Sequence, residues 1–130
     1  MSEPVWISKQ LVERIHELQL MEHGGEEGYL NEGHLDAAIA RPRMTYGYLP
    51  DTSLEELAAS LAVGIVKGHA FVDGNKRTAC VAALTFLSMN GIEIQAGYPE
   101  TAEVFENITK KTMSESDLAL WFEERALPDE

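Results

Sequence analysis

The run Thr78-Ala79-Cys80-Val81-Ala82-Ala83-Leu84-Thr85-Phe86-Leu87 has almost no polar face to turn toward water. It reads as a buried helix, which commits the chain to a folded domain with a core deep enough to surround it. Asn90-Gly91 supplies its stop and the turn-forming Asp73-Gly74-Asn75 its approach.

Other segments read as helices that could do the surrounding. Ser8 can cap a first helix in which Leu11, Val12, Ile15, Leu18 and Met21 recur at helical spacing, ended by His23-Gly24-Gly25. Asn31 can open a short second helix through Ala40, closed by Arg41-Pro42. Ser53-Leu54-Glu55-Glu56 is a capping-box pattern leading into Leu57 to Lys67, with Gly68 as the stop. A further helix is expected from about Glu100 to Lys111, and a last one, capped by Ser114 or Ser116, carries Leu118, Leu120, Trp121 and Phe122. Between them, Pro42 to Thr52 places Met44, Tyr46, Tyr48 and Leu49 around Gly47, a pattern that suits a short β-hairpin or extended flap and equally suits simple cover for the core. The expected fold is all-α: a single domain over residues 1–130, core about 5–126, of about six helices around the central helix Arg77 to Met89. With 130 residues, 45% of them hydrophobic, such a domain can bury a real core.

The chemistry concentrates just before the central helix, in His69-Ala70-Phe71-Val72-Asp73-Gly74-Asn75-Lys76-Arg77. An imidazole can take a proton from a hydroxyl near neutral pH, which makes His69 a candidate general base. Asp73 offers hard carboxylate oxygen of the kind Mg²⁺ prefers. Gly74 permits a tight turn and close approach to a phosphate, and Asn75 can cap the helix or hold the loop. Lys76 and Arg77 add positive charge at a helix N-terminus, where unpaired N–H groups already favour an anion. Phe71 reads as a core anchor. The set suits a nucleotide-dependent transferase, although spacing alone fits capping chemistry with a solvated Lys-Arg pair equally well.

Charge and cysteine content narrow the alternatives. A formal net charge of −12 argues against a nucleic-acid or anionic-membrane surface, both of which need clustered positive charge. A single cysteine excludes an internal disulfide, and the absence of a signal pattern or long apolar run makes a cytoplasmic location the expectation. Cys80 reads as a buried, inert thiol. His16, His23 and His34 show no metal-ligand spacing and are expected in surface or capping roles; Trp6 and Trp121 are expected to pack the termini.

The motif resembles the signature of the Fic/Doc superfamily, His-x-Phe-x-Asp/Glu-Gly-Asn-Gly-Arg-x-x-Arg, in which the Doc (death-on-curing) branch has Lys in place of the second Gly. His23-Gly24-Gly25 with Gly28, Leu35-Asp36-Ala37-Ala38-Ile39-Ala40-Arg41-Pro42, Tyr46 and Asn90-Gly91 extend the resemblance to Doc toxins over about residues 5 to 125. Doc relatives often carry Arg after the Gly-x pair, where this chain has Gly28-Tyr29-Leu30.

The resemblance implies His69 as general base, Asp73 as the metal-side carboxylate, and Gly74, Asn75, Lys76 and Arg77 as nucleotide-binding residues, with ATP and Mg²⁺ as the implied cofactors. It also implies a target-docking flap, for which Tyr46, Gly47 and Tyr48 are the candidates. Two departures from the adenylyl-transferring pattern bear on the reaction: Lys76 replaces a Gly of the anion hole, and Cys80 replaces the Arg that holds a γ-phosphate. They favour a Doc-like toxin that moves the γ-phosphate of ATP onto a protein hydroxyl, with a threonine of elongation factor Tu as the implied target. A Phd-like antitoxin, disordered until it binds, is the implied partner. A Fic-type adenylyltransferase and a non-catalytic binding module on the same fold are the alternatives.

Overall fold

The computed structural model describes residues 3–128. Among them the chain forms six helices: α1 (Lys9–His23), α2 (Glu32–Tyr48), α3 (Leu54–Gly68), α4 (Asn75–Met89), α5 (Tyr98–Thr109) and α6 (Glu115–Arg125). Where the chain enters a helix, a side chain commonly takes up a first-turn N–H that has no partner inside the helix. Ser8 accepts from Leu11 N and Asn31 from His34 N, while Ser53 with Glu56 and Ser114 with Asp117 form reciprocal capping boxes. The last of these settles the choice between Ser114 and Ser116. Helix α5 starts slightly earlier than expected because Gly97 and Pro99 already open its first turn.

Helix α3 is the innermost, with Leu57, Ala58, Ala59, Ser60, Leu61, Ala62, Val63, Ile65 and Val66 all buried. It packs against α2, α4, α5 and α6, so it shares the centre with α4, which buries Thr78, Ala79, Ala82, Ala83, Phe86 and Leu87. Small alanines on both helices let their backbones approach, and larger side chains such as Leu57, Leu61 and Phe86 fill the layers on either side. Trp6 stacks on Phe86 with ring centroids 6.0 Å apart, which fastens the N-terminal segment to α4. Asn90 strengthens the same corner by donating to the Val5 and Phe86 carbonyls and accepting the Val5 N–H.

Helix α2 departs from expectation. It does not close at Arg41-Pro42 but runs through Pro42 to Tyr48. Residues Tyr46, Gly47 and Tyr48, expected in a hairpin flap, therefore form its last helical turn, and no strand pairing occurs there among the described residues. Tertiary contacts outweigh the local breakers. Pro42 is buried, and Tyr46 packs edge-on against Trp6 at 5.6 Å. Arg41 donates to the Ser60 carbonyl (3.0 Å) and pairs with Glu115 (2.8 Å), which ties α2 to α3 and α6. Tyr48 is left exposed at the end of the helix. Elsewhere Ile94 forms a single antiparallel bridge with Ala126, and no helix among the described residues is long and apolar enough to cross a membrane.

Among the described residues, one buried side-chain polar atom lacks a partner: Thr78 Oγ1, on the fully buried side chain nearest the start of α4. Burying an unpaired hydroxyl costs free energy that an apolar side chain of the same shape avoids. Thr78→Val is accordingly expected to stabilise the fold by about 1 kcal/mol, a rise in Tm of about 3 °C on thermal unfolding. An unchanged or lower Tm would mean that the hydroxyl is satisfied in solution.

Candidate functional site

The motif forms the connection between the two innermost helices. His69 is the C-cap of α3 and adopts a left-handed conformation (φ 44, ψ 47), which turns the chain away from the helix axis and leaves the residue exposed. Gly68, expected to make that turn, stays inside α3, and His34 of α2 donates from Nδ1 to its carbonyl at 2.7 Å. A non-glycine residue held at positive φ stores strain, a recurrent property of sites where geometry matters more than stability.

Beyond His69 the loop is held from both sides. Phe71 is buried, and Asn75 reaches back to close the loop, accepting the Phe71 N–H at 3.1 Å and donating to the Phe71 carbonyl at 2.9 Å. Of the capping and loop-holding roles expected for Asn75, the structure thus shows the loop-holding one. The N-cap of α4 is Gly74, at φ 83, a left-handed conformation that suits glycine. With no side chain capping the helix there, the first-turn N–H groups remain for an incoming anion. On the outer side, the segment Gly28 to Asn31 runs antiparallel to the motif: Val72 N–H donates to the Gly28 carbonyl (3.0 Å) and Leu30 N–H to the Ala70 carbonyl (2.7 Å).

The Asp73 side chain is exposed, and its Oδ2 accepts the Glu26 N–H at 2.8 Å. Gly25 makes this approach possible, since a Cβ there would fall 2.8 Å from Leu20 Cδ2 and 3.3 Å from Asp73 Cβ. One carboxylate oxygen is thereby oriented, and the other can serve a hard cation. No trio of His, Cys, Asp or Glu gathers as a metal cage among the described residues, so a Mg²⁺ ion at Asp73 would complete its shell with water and phosphate oxygens.

Lys76 and Arg77 lie on the first turn of α4, both exposed, at one end of a cavity of about 370 Å³. Gln19 and His23 of α1, Cys80, Val81 and Leu84 of α4, and Tyr98 and Phe105 of α5 complete most of its wall. Lys76 is not free: its ammonium pairs with Glu106 of α5. That contact holds the Glu106 carboxyl below the usual carboxylate range, so the pair persists until the pH falls below that range. Cys80 is half-buried, and desolvation pushes its thiol up to about 11, which keeps it protonated near neutral pH.

One residue of the site was not expected there. His16, assigned a surface or capping role from sequence, is buried on α1, stacked on the Phe71 ring at 3.6 Å and hydrogen-bonded to the Asp73 carbonyl at 2.8 Å. Its place four residues after Val12, on the apolar face of the first helix, was the available signal. The Tyr46-Gly47-Tyr48 turn belongs to α2, and the stretch paired with the motif is Gly28 to Asn31.

Comparison with known proteins identifies the family. A family model described as Fic/DOC family matches residues 6–87, which include the whole motif loop and most of α4. The chain is 47% identical over 76 residues to a protein named Toxin Doc from Mycolicibacterium smegmatis, an alignment covering 58% of each chain. It is 33% identical over 113 residues to Protein kinase doc of Escherichia phage P1, covering 87% of this chain and 89% of the relative. The match extends across the motif loop and the helices that hold it, and the chain belongs to the Fic/DOC family.

Proposed function

We propose that the chain is a Doc-like toxin that transfers the γ-phosphate of ATP to a protein hydroxyl. In this reading His69 takes the proton of the acceptor hydroxyl, its oxygen attacks the γ-phosphorus, and the bond to the β-phosphate oxygen breaks to release ADP. The Gly74 cap with its open N–H groups, together with Arg77, receives the phosphates. Asp73 holds Mg²⁺, which when bound neutralises phosphate charge. Such a reaction depends on positioning and charge stabilisation more than on covalent help from the protein.

The observation that carries the choice of phosphoryl over adenylyl transfer is the half-buried thiol of Cys80 on α4, at the position where the adenylyl-transferring pattern has Arg. An uncharged group there cannot hold the terminal phosphate in the orientation that presents the α-phosphate for attack. The names of the two relatives, one a toxin and one a protein kinase, support the same reading. A threonine of elongation factor Tu is the proposed acceptor and a Phd-like antitoxin the proposed partner, both from the family resemblance.

Paired labelling reactions in bacterial lysate with Mg²⁺ decide it, one with ATP labelled at the γ-phosphate and one with label at the α-phosphate. Label from γ alone supports the kinase. Label from α would establish an adenylyltransferase, and none from either would favour a binding module. A companion expectation concerns Lys76→Gly, which restores the glycine of the adenylyl-transferring pattern but leaves Cys80 in place. This variant should show no AMP-labelled product, and robust α-label would refute the argument from Cys80.

A further inference from the structure

The loop that carries Asp73 also rests on a ring of α1. His16 Nε2 lies 2.8 Å from the Asp73 carbonyl oxygen, and since a carbonyl only accepts, Nε2 must carry the proton and donate it. The same ring lies nearly parallel to Phe71, at 8° and 3.6 Å between centroids. Its edge also borders Gly74, where a Cβ would stand 3.4 Å from His16 Cδ2. A single side chain of α1 thus meets the buried anchor of the loop, the carbonyl of Asp73 and the N-cap of α4. Tyr29 also stacks on Phe71 at 4.9 Å and donates its hydroxyl to Glu13, three residues before His16 on α1.

We infer that His16 is a positioning residue for the Asp73 loop. Its N–H fixes the Asp73–Gly74 peptide, and through that peptide the direction of the Asp73 carboxylate and the left-handed turn at Gly74. Without the bond, the part-buried Asp73 carbonyl loses its donor and the peptide can rotate toward water, carrying the carboxylate with it. His16 need touch neither substrate nor metal to act. The bearing on turnover rests on the proposed phosphoryl transfer, whereas the bearing on loop order does not.

Two substitutions separate this role from that of a histidine that merely fills the core. His16→Phe keeps an aromatic ring to stack on Phe71 but has no donor; His16→Gln keeps an N–H donor on a side chain of comparable reach but loses the ring. A filling role ranks Phe above Gln in every property. The positioning role reverses the order for function alone: Phe retains Tm yet loses about 10²-fold in kcat for γ-phosphoryl transfer, while Gln loses Tm and recovers at least about tenfold of that kcat. The KM for ATP is expected to move far less than kcat. Amide hydrogen exchange at Phe71 and Val72 supplies a readout independent of activity, expected to speed up about tenfold in His16→Phe and less in His16→Gln.

Wild-type kcat and wild-type exchange in a folded His16→Phe would overturn the inference, as would a Gln variant that is no better than Phe in both measurements. If the wild-type protein transfers no γ-label, the proposed function fails, and the exchange order of the two variants still decides the role of His16.

Discussion

Replacing His69 by Ala is expected to cut γ-phosphoryl transfer by about 10²–10⁴-fold, the usual contribution of a positioned general base. The loss should come without unfolding, because His69 is exposed and stands at the end of α3 rather than inside the core. Its backbone sharpens the test. At φ 44 a side chain with a Cβ is strained, so His69→Gly should be inactive and yet at least as stable as the wild type, by up to about 1 kcal/mol. An inactive variant that melts higher than its parent cannot owe its inactivity to unfolding. Growth arrest on expression, γ-label transfer and thermal melting, measured on both variants, give the check. Retention of more than a tenth of wild-type transfer by either would remove His69 from the catalytic role.

Phe86→Ala should cost about 3–5 kcal/mol, a large share of the roughly 5–15 kcal/mol that holds a domain of this size folded. Phe86 is 1% exposed, on α4 between the Trp6 ring and the body of the core. Its truncation opens a cavity that backbone-close alanines cannot collapse to fill. It also frees Trp6, and with it the ring that packs against Tyr46 at the end of α2. Urea unfolding is expected to show the midpoint falling by a third or more with little change in slope. A loss under about 1 kcal/mol would mean that the core repacks around the gap.

The two variants mark different kinds of legibility. His69, Asp73 and the turn into α4 stood out because their meaning is local: neighbours in sequence become one loop whatever the rest of the chain does. The caps at Ser8, Asn31, Ser53 and Ser114 were readable for the same reason, since a cap spans only three residues. Pro42 and Gly47 misled because local propensity is worth little against packing, and α2 continues through both once Pro42 is buried and Arg41 is tied to α3 and α6. Lys76 reads as a phosphate-binding charge, but its pairing with Glu106 spans 30 residues and required α5 to be laid beside α4.

The sequence by itself determined the helical class, most helix starts, the buried run of α4 and the chemistry-bearing loop before it, all through periodicity and contacts between near neighbours. Tertiary structure decided what surrounds that loop: His16 from 57 residues away, the Glu26 N–H on Asp73, and the Gly28 to Asn31 segment along its outer side. The physical reason is that hydrogen bonds and ring stacks between distant segments carry no periodic trace, and exist only once core burial has brought those segments together.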